Sequence, residues 1–176
     1  AAMKTLAKRA LYRSGALDLY RRALQADALT VVMFHRVLPP SDPRFETADP
    51  AYTIRLATFE RCLEAFARHY NVVALDAVAA ALRGTAALPK RALLVTFDDG
   101  WEDTARYAIP ALHRRAMPSV VFVTSGALSS ALTLWQDAAA CLWRASEAVR
   151  QTHPTIDAMV AWLSQRPSAE RAAWLH

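Results

Sequence analysis

The chain has 176 residues, 54% of them hydrophobic and 21% charged. That is one domain's worth of chain, with enough apolar side chain for a core and too much for global disorder. The net charge of +5 is confined to one end: residues 1–25 hold Lys4, Lys8, Arg9, Arg13, Arg21 and Arg22 against Asp18, and the remainder is balanced.

A neutral body argues against a nucleic-acid module, which spreads basic residues over its folded face. No apolar run approaches the ~20 residues that span a bilayer. The basic start lacks the apolar stretch and small-residue site of a secretory signal. These features give a cytoplasmic location, or a peripheral one on the inner membrane, as the expectation. The four glycines, at 15, 84, 100 and 126, are too far apart for a dinucleotide or P-loop fingerprint. Cys62 and Cys141 make no disulfide framework and read as buried thiols in a reducing compartment.

In chain order, residues 1–27 form a basic helical leader. It either rests on an anionic membrane surface or packs on the domain through Leu6, Leu17, Tyr20 and Leu24. Residues 29–38, LTVVMFHRVL, predict a buried strand stopped by Pro39-Pro40. A Pro/Asp/Ser-rich loop covers 39–53. Thr58 can cap a helix to about Tyr70, with Phe59, Cys62, Leu63 and Phe66 at helical spacing. A short strand at 71–75 leads to a helix capped by Asp76 and followed by Gly84. ALLVTF at 92–97 predicts a third strand, buried on both faces. A helix at 101–116 follows, kinked at Pro110, then a strand at 119–124. Helices are predicted at 133–149, 155–165 and 168–175. Strand–helix alternation over 28–126 predicts an α/β fold, a partial, distorted (β/α) barrel with parallel strands. Residues 127–176 form a helical C-terminal segment or insertion.

The dense polar cluster is Asp98-Asp99-Gly100 after the third strand. Desolvation and like-charge repulsion oppose two ionised carboxylates at a strand end. Such a pair suits hydrolysis, one acid on a metal and the other free as a base. Gly100 lets the chain turn tightly. The alternative is structural, with Asp98 or Asp99 capping the next helix.

The segment LLVTFDDGWED resembles the first signature of the polysaccharide deacetylase family, the nodulation-protein-B-type carbohydrate esterases. VVMFHRV at 31–37 and PSVVFVTSG at 118–126 resemble the family's flanking strands, in the same order. The resemblance spans residues 29–126. It implies a distorted barrel, a divalent metal (commonly zinc), and removal of acetyl groups, usually N-acetyl, from a polysaccharide or oligosaccharide. Asp98 matches the catalytic base and Asp99 the metal-binding carboxylate. Trp101 stands where many members have Pro or Tyr. His35, Gly100 and Trp101 are the candidate site-lining residues, and Thr124 and Ser125 end the fourth strand at the same rim.

The family's H-[ST]-x-x-H segment is missing, because His35, His69, His113, His153 and His176 include no pair four apart. Its later signatures are missing too. The expectation is therefore an incomplete catalytic domain, inactive alone. An incomplete barrel would expose strand edges and could self-associate. His69 and His113 read as surface or helix-end residues, His153 as a turn before a helix. Trp135, Trp143, Trp162 and Trp174 read as helix-packing residues. Two rivals remain. One is phosphoryl transfer of the haloacid-dehalogenase type, which wants D-x-D rather than adjacent acids. The other is a non-catalytic carbohydrate-binding or interaction module with a ruined site.

Overall fold

Six apolar or β-branched residues, Ala92–Phe97, form the central strand β5, and all six are buried. In the computed structural model, residues 27–127 and 134–175 are described. The leader at 1–27 (all but Asp27) and His176 lie outside the described residues. The strands are β1 (Thr30–Phe34), β2 (Arg36–Leu38), β3 (Thr53–Arg55), β4 (Asn71–Val72), β5 and β6 (Val120–Val121). The helices are α1 (Leu56–His69), α2 (Leu75–Leu82), α3 (Ile109–His113), α4 (Trp135–Ala145), α5 (Glu147–Thr152), α6 (Ile156–Ser164) and α7 (Ser168–Leu175). This is a mixed α/β fold with parallel strand pairs and C-terminal helices.

The described residues fall into two compact units, one of 27–33, 62–96 and 112–120, the other of 34–61, 97–111, 121–127 and 134–175. In the first, β5 lies between β1 and β4, and the β4–β5 pair is parallel with Asn71 opposite Ala92. Val73, Val78, Ala92 and Leu94 form its core, with Leu29, Leu88 and Val120 packed against them. In the second, β2 and β3 pair in parallel, Val37 opposite Ile54. The rings of Phe34, Phe59 and Phe97 meet at centroid distances of 5.1–5.8 Å. Ala139, Met159 and Leu163 form a further core, covered by Trp135, Trp143, Trp162 and Trp174 among others.

Several expectations are corrected. The strand at 29–38 is two strands parted at His35, because Arg36 turns inward to partners that fix β2 separately. β1 is not fully buried: it alternates, with Val31 and Met33 more than half exposed. The loop at 39–53 holds a 3-10 turn, Pro43–Phe45, capped by Asp42, and its last residue begins β3. α1 begins at Leu56, two residues before the expected Thr58 cap. Asp76 does not cap α2, since the cap position is Ala74 and Asp76 lies in the first turn. There it still faces the positive end of the helix. The predicted helix at 101–116 contains a π-helical turn, Thr104–Ala108, ahead of α3. Pro110 has no N–H to give a regular ladder, and Ile109 donates instead to the Thr104 carbonyl. Ser146 splits the helix at 133–149, its extended backbone and its hydroxyl capping Val149 N–H. Neither cysteine is a buried thiol: Cys62 is half-buried and Cys141 exposed. His113 is exposed. His153 is a packing residue, its ring 4.9 Å from Trp162 and its carbonyl accepting from the Trp143 indole. Among the described residues no helix is long and apolar enough to cross a membrane.

Candidate active site

β5 delivers Asp98, Asp99 and Gly100 at its carboxyl end, and the turn is built from unusual backbone. Asp99 and Gly100 both take left-handed conformations, with φ of 72° and 76°. Aspartate tolerates that region and glycine enters it freely. The turn is held from two sides. Asp98 N–H donates to the Phe34 carbonyl at 2.9 Å, and the Asp99 carbonyl accepts from Thr124 N–H at 3.3 Å. The rim residue Thr124 thus meets the turn through its backbone.

A Cβ added at Gly100 would lie 2.9 Å from Val123 Cγ1 and 3.3 Å from Val123 Cα. Gly100→Ala therefore combines backbone strain with a forced shift of Val123. The expected loss is about 1–3 kcal/mol in urea unfolding. A loss below about 0.5 kcal/mol, the level of an ordinary surface substitution, would show that the turn relaxes freely.

A cavity of ≈ 170 Å³ opens beside this turn, lined by His35, Arg36, Tyr52, Asp99, Trp101, Gln136 and Asp137, with Leu134. The structure thus brings His35, Asp99 and Trp101 together. Asp98 and Gly100 are not among its lining residues. The Asp99 carboxylate accepts from the Trp101 indole at 3.3 Å, and the His35 ring sits 4.9 Å from that of Tyr52. Among the described residues the Asp98 carboxylate has no hydrogen-bond partner, and neither acid caps the following helix. A half-buried carboxylate without a protein partner keeps its lone pairs for a proton.

Sequence reasoning missed the electrostatic support of this cavity. Arg36 is 4% exposed, and Asp103 fully buried. Asp103 Oδ2 takes Arg36 Nε and Nη2 at 2.9 Å each, and Asp103 Oδ1 takes Val37 N–H at 3.1 Å. Arg36 Nη1 donates to Asp137, and its guanidinium lies 4.1 Å from the Trp101 ring centroid. So Arg36 stacks on the indole that holds Asp99. Burial pushes the carboxyls of Asp103 and Asp137 above the usual range, with Arg36 opposing the rise. The one signal in the sequence was an arginine inside an otherwise apolar run.

A second network braces the loop after β2. Asp42 accepts from Arg44 Nε and Nη2, from Arg44 N–H, and from the Tyr107 hydroxyl at 2.8 Å. The hydrogen bonds from Arg44 hold the Asp42 carboxyl well below the ordinary carboxylate range. Donation to that carboxylate raises the Tyr107 hydroxyl.

The metal that the resemblance implies finds no cage here. Among the described residues no group of three or more His, Cys, Asp or Glu side chains is placed to hold an ion. Structural and catalytic divalent sites need at least that many donors. The residues present therefore do not fit a bound metal by themselves.

Residues 85–156 match the family model described as polysaccharide deacetylase. Among solved structures, IcaB from Ammonifex degensii is similar at 29% identity and a TM-score of 0.51, over 67% of this chain and 49% of that one. The Streptococcus pyogenes deacetylase PplD, solved in complex with acetate, is similar at 21% identity and a TM-score of 0.49, over 63% of this chain and 50% of that one. A de-N-acetylase from Aggregatibacter actinomycetemcomitans is similar at 23% identity and a TM-score of 0.47, over 53% of this chain and 36% of that one. No protein of curated function matches the sequence. The chain spans half or less of the length of these solved structures. The polysaccharide deacetylase match thus covers residues 85–156, under half of the chain, and the mixed α/β fold is a partial match to the IcaB structure.

Proposed function

We propose that the whole protein hydrolyses acetyl groups, N-acetyl foremost, from a polysaccharide or oligosaccharide, and that this chain supplies one side of the active site. The observation that carries the reading is the Asp98-Asp99 turn, which lies inside the matched segment 85–156 and borders a cavity. In this reading Asp98 takes the proton from the water that attacks the acetyl carbonyl. The water oxygen bonds to the carbonyl carbon, the carbon–nitrogen bond breaks as an acid from the rest of the protein protonates the nitrogen, and acetate and a free amine leave. His35, Tyr52 and Trp101 line the pocket around the acetyl group. Asp99 is this segment's contribution to a divalent, zinc-type site whose other donors come from elsewhere. The basic leader as a membrane-surface contact, the peripheral location and the self-association of the incomplete barrel belong to the same proposal.

The test is acetate release from an N-acetylglucosamine oligomer in the presence of added zinc. The whole protein is expected to turn over and residues 1–176 alone to release no acetate above background. Full activity of residues 1–176 would overturn the shared-site reading. Among the described residues no three-donor cage forms, and a second reading takes this at face value: a non-catalytic carbohydrate-binding module. Sugar binding by the whole protein without acetate release, unchanged by a chelator, would favour that one.

A further inference from the structure

The helical segment borders a second cavity, of ≈ 340 Å³, that the proposed reaction leaves unused. Asp49, Tyr52, Trp135, Gln136, Asp157 and Ser164 supply its polar and aromatic lining. Asp49 is 1% exposed. Its Oδ1 accepts from Ala51 N–H at 2.8 Å, whereas its buried Oδ2 has no partner among the described residues. Gln136 Oε1 is likewise buried and, among the described residues, unpartnered. Native proteins seldom leave buried acceptors unmet, because each forfeits its hydration without return. Both of these oxygens belong to residues that line the one cavity.

The rest of the lining points to the same kind of guest. Asp157, in the first turn of α6, adds an exposed carboxylate. Ser164 spends its hydroxyl proton on the Ala161 carbonyl at 2.8 Å, so it too offers lone pairs. Among the described residues no lysine, arginine or histidine lines the cavity. An acceptor-rich, anionic cavity calls for a donor-rich cation. Tyr52 and Trp135 add aromatic surface to the lining beside these acceptors. A bare metal ion fits less well, since no third acidic or histidine donor is placed with these two among the described residues. Tyr52 and Gln136 also line the cavity beside Asp99, so the two cavities share a wall.

We propose that this second cavity is a saccharide subsite for a sugar carrying a free, protonated amine, with Asp49 Oδ2 and Gln136 Oε1 as its principal acceptors. The inference rests on the deacetylase reading and deepens it. The guest would be a residue already deacetylated, neighbouring on the same chain the one whose acetyl group lies by Asp99. The enzyme would then favour partly deacetylated polymer.

Calorimetric binding of the glucosamine tetramer and the N-acetylglucosamine tetramer to this chain tests the proposal, at about pH 6, between the carboxylate and amine ranges. The glucosamine tetramer is expected to bind about tenfold more tightly or better, as one charge-assisted contact supplies. Asp49→Asn keeps an oxygen for Ala51 N–H and is expected to bring the two tetramers within about twofold of each other. Asp157→Asn, at an exposed position, is expected to narrow the preference severalfold without risk to folding. Equal affinity for the two tetramers, binding of neither, or a preference that survives both substitutions would overturn the subsite. If Asp49→Asn does not fold, an unchanged preference in Asp157→Asn suffices to overturn it. The readout involves no turnover, so a failed deacetylase reading registers in acetate release and a failed subsite in amine preference.

Discussion

Asp98→Asn is expected to lower kcat/KM for acetate release by the whole protein about 10²–10⁴-fold, the range that a positioned general base contributes. The amide matches the carboxylate in shape but cannot accept the proton from the attacking water. The change should leave the fold alone, because the Asp98 backbone makes the structural contact, from its N–H to the Phe34 carbonyl, while its carboxylate bonds to no protein group among the described residues. Stability is expected to stay within about 0.5 kcal/mol of wild type. The measurement is steady-state acetate release beside a urea melt of the same preparation. A rate within threefold of wild type, with the fold intact, would remove Asp98 from the role of base.

Arg36→Met is expected to cost about 3–5 kcal/mol of stability, because it leaves two buried carboxylates without their cation. Asp103 is fully buried and Asp137 nearly so, and both depend on the same guanidinium. The pH dependence has a definite sign. Burial already raises both carboxyls in the folded state. A carboxyl raised on folding lends its stability in full below its unfolded value, and loses it as pH rises through the folded value. Removing Arg36 raises both further, so the variant's deficit should be smallest in acid and grow as pH climbs above about 4. Thermal unfolding across that interval checks it. A deficit that shrinks with rising pH, or a loss below about 1 kcal/mol, would mean that the carboxylates find other partners.

The strand β5 and its acid turn were legible in the sequence because local rules sufficed. ALLVTF is apolar or β-branched throughout, and the Asp-Asp-Gly after it marks the chain's turn at the strand end. The helical character of the C-terminal segment was legible for the same reason, down to the tryptophans that pack it, but not the break at Ser146. The remainder depended on contacts between distant residues. Nothing local in VVMFHRVL marks the break at His35, which follows from Arg36 finding Asp103, 67 residues on. β3 has three residues, too few for a periodic pattern, and it forms because β2 offers a parallel edge. Gln136 and Asp49 carry no motif; their interest lies in oxygens that the fold buries without partners. Asp76 shows the converse case: a good capping residue was outvoted when the helix began two residues earlier, with Ala74 at the cap.

The reach of Arg36 also sets an order in time. Its two carboxylate partners lie 67 and 101 residues further along the chain. Contacts of such separation close large loops before any enthalpic return, which places them late in folding. During synthesis at about 5–20 residues per second, the nascent guanidinium waits roughly 5–20 seconds for Asp137 to be added. Until then the strand that carries it holds a charge meant for the interior, and docking that strand early would bury it only partly neutralised. The lateness of α4 thus delays commitment of β2, and the rim of the cavity closes only once the helical segment has been translated.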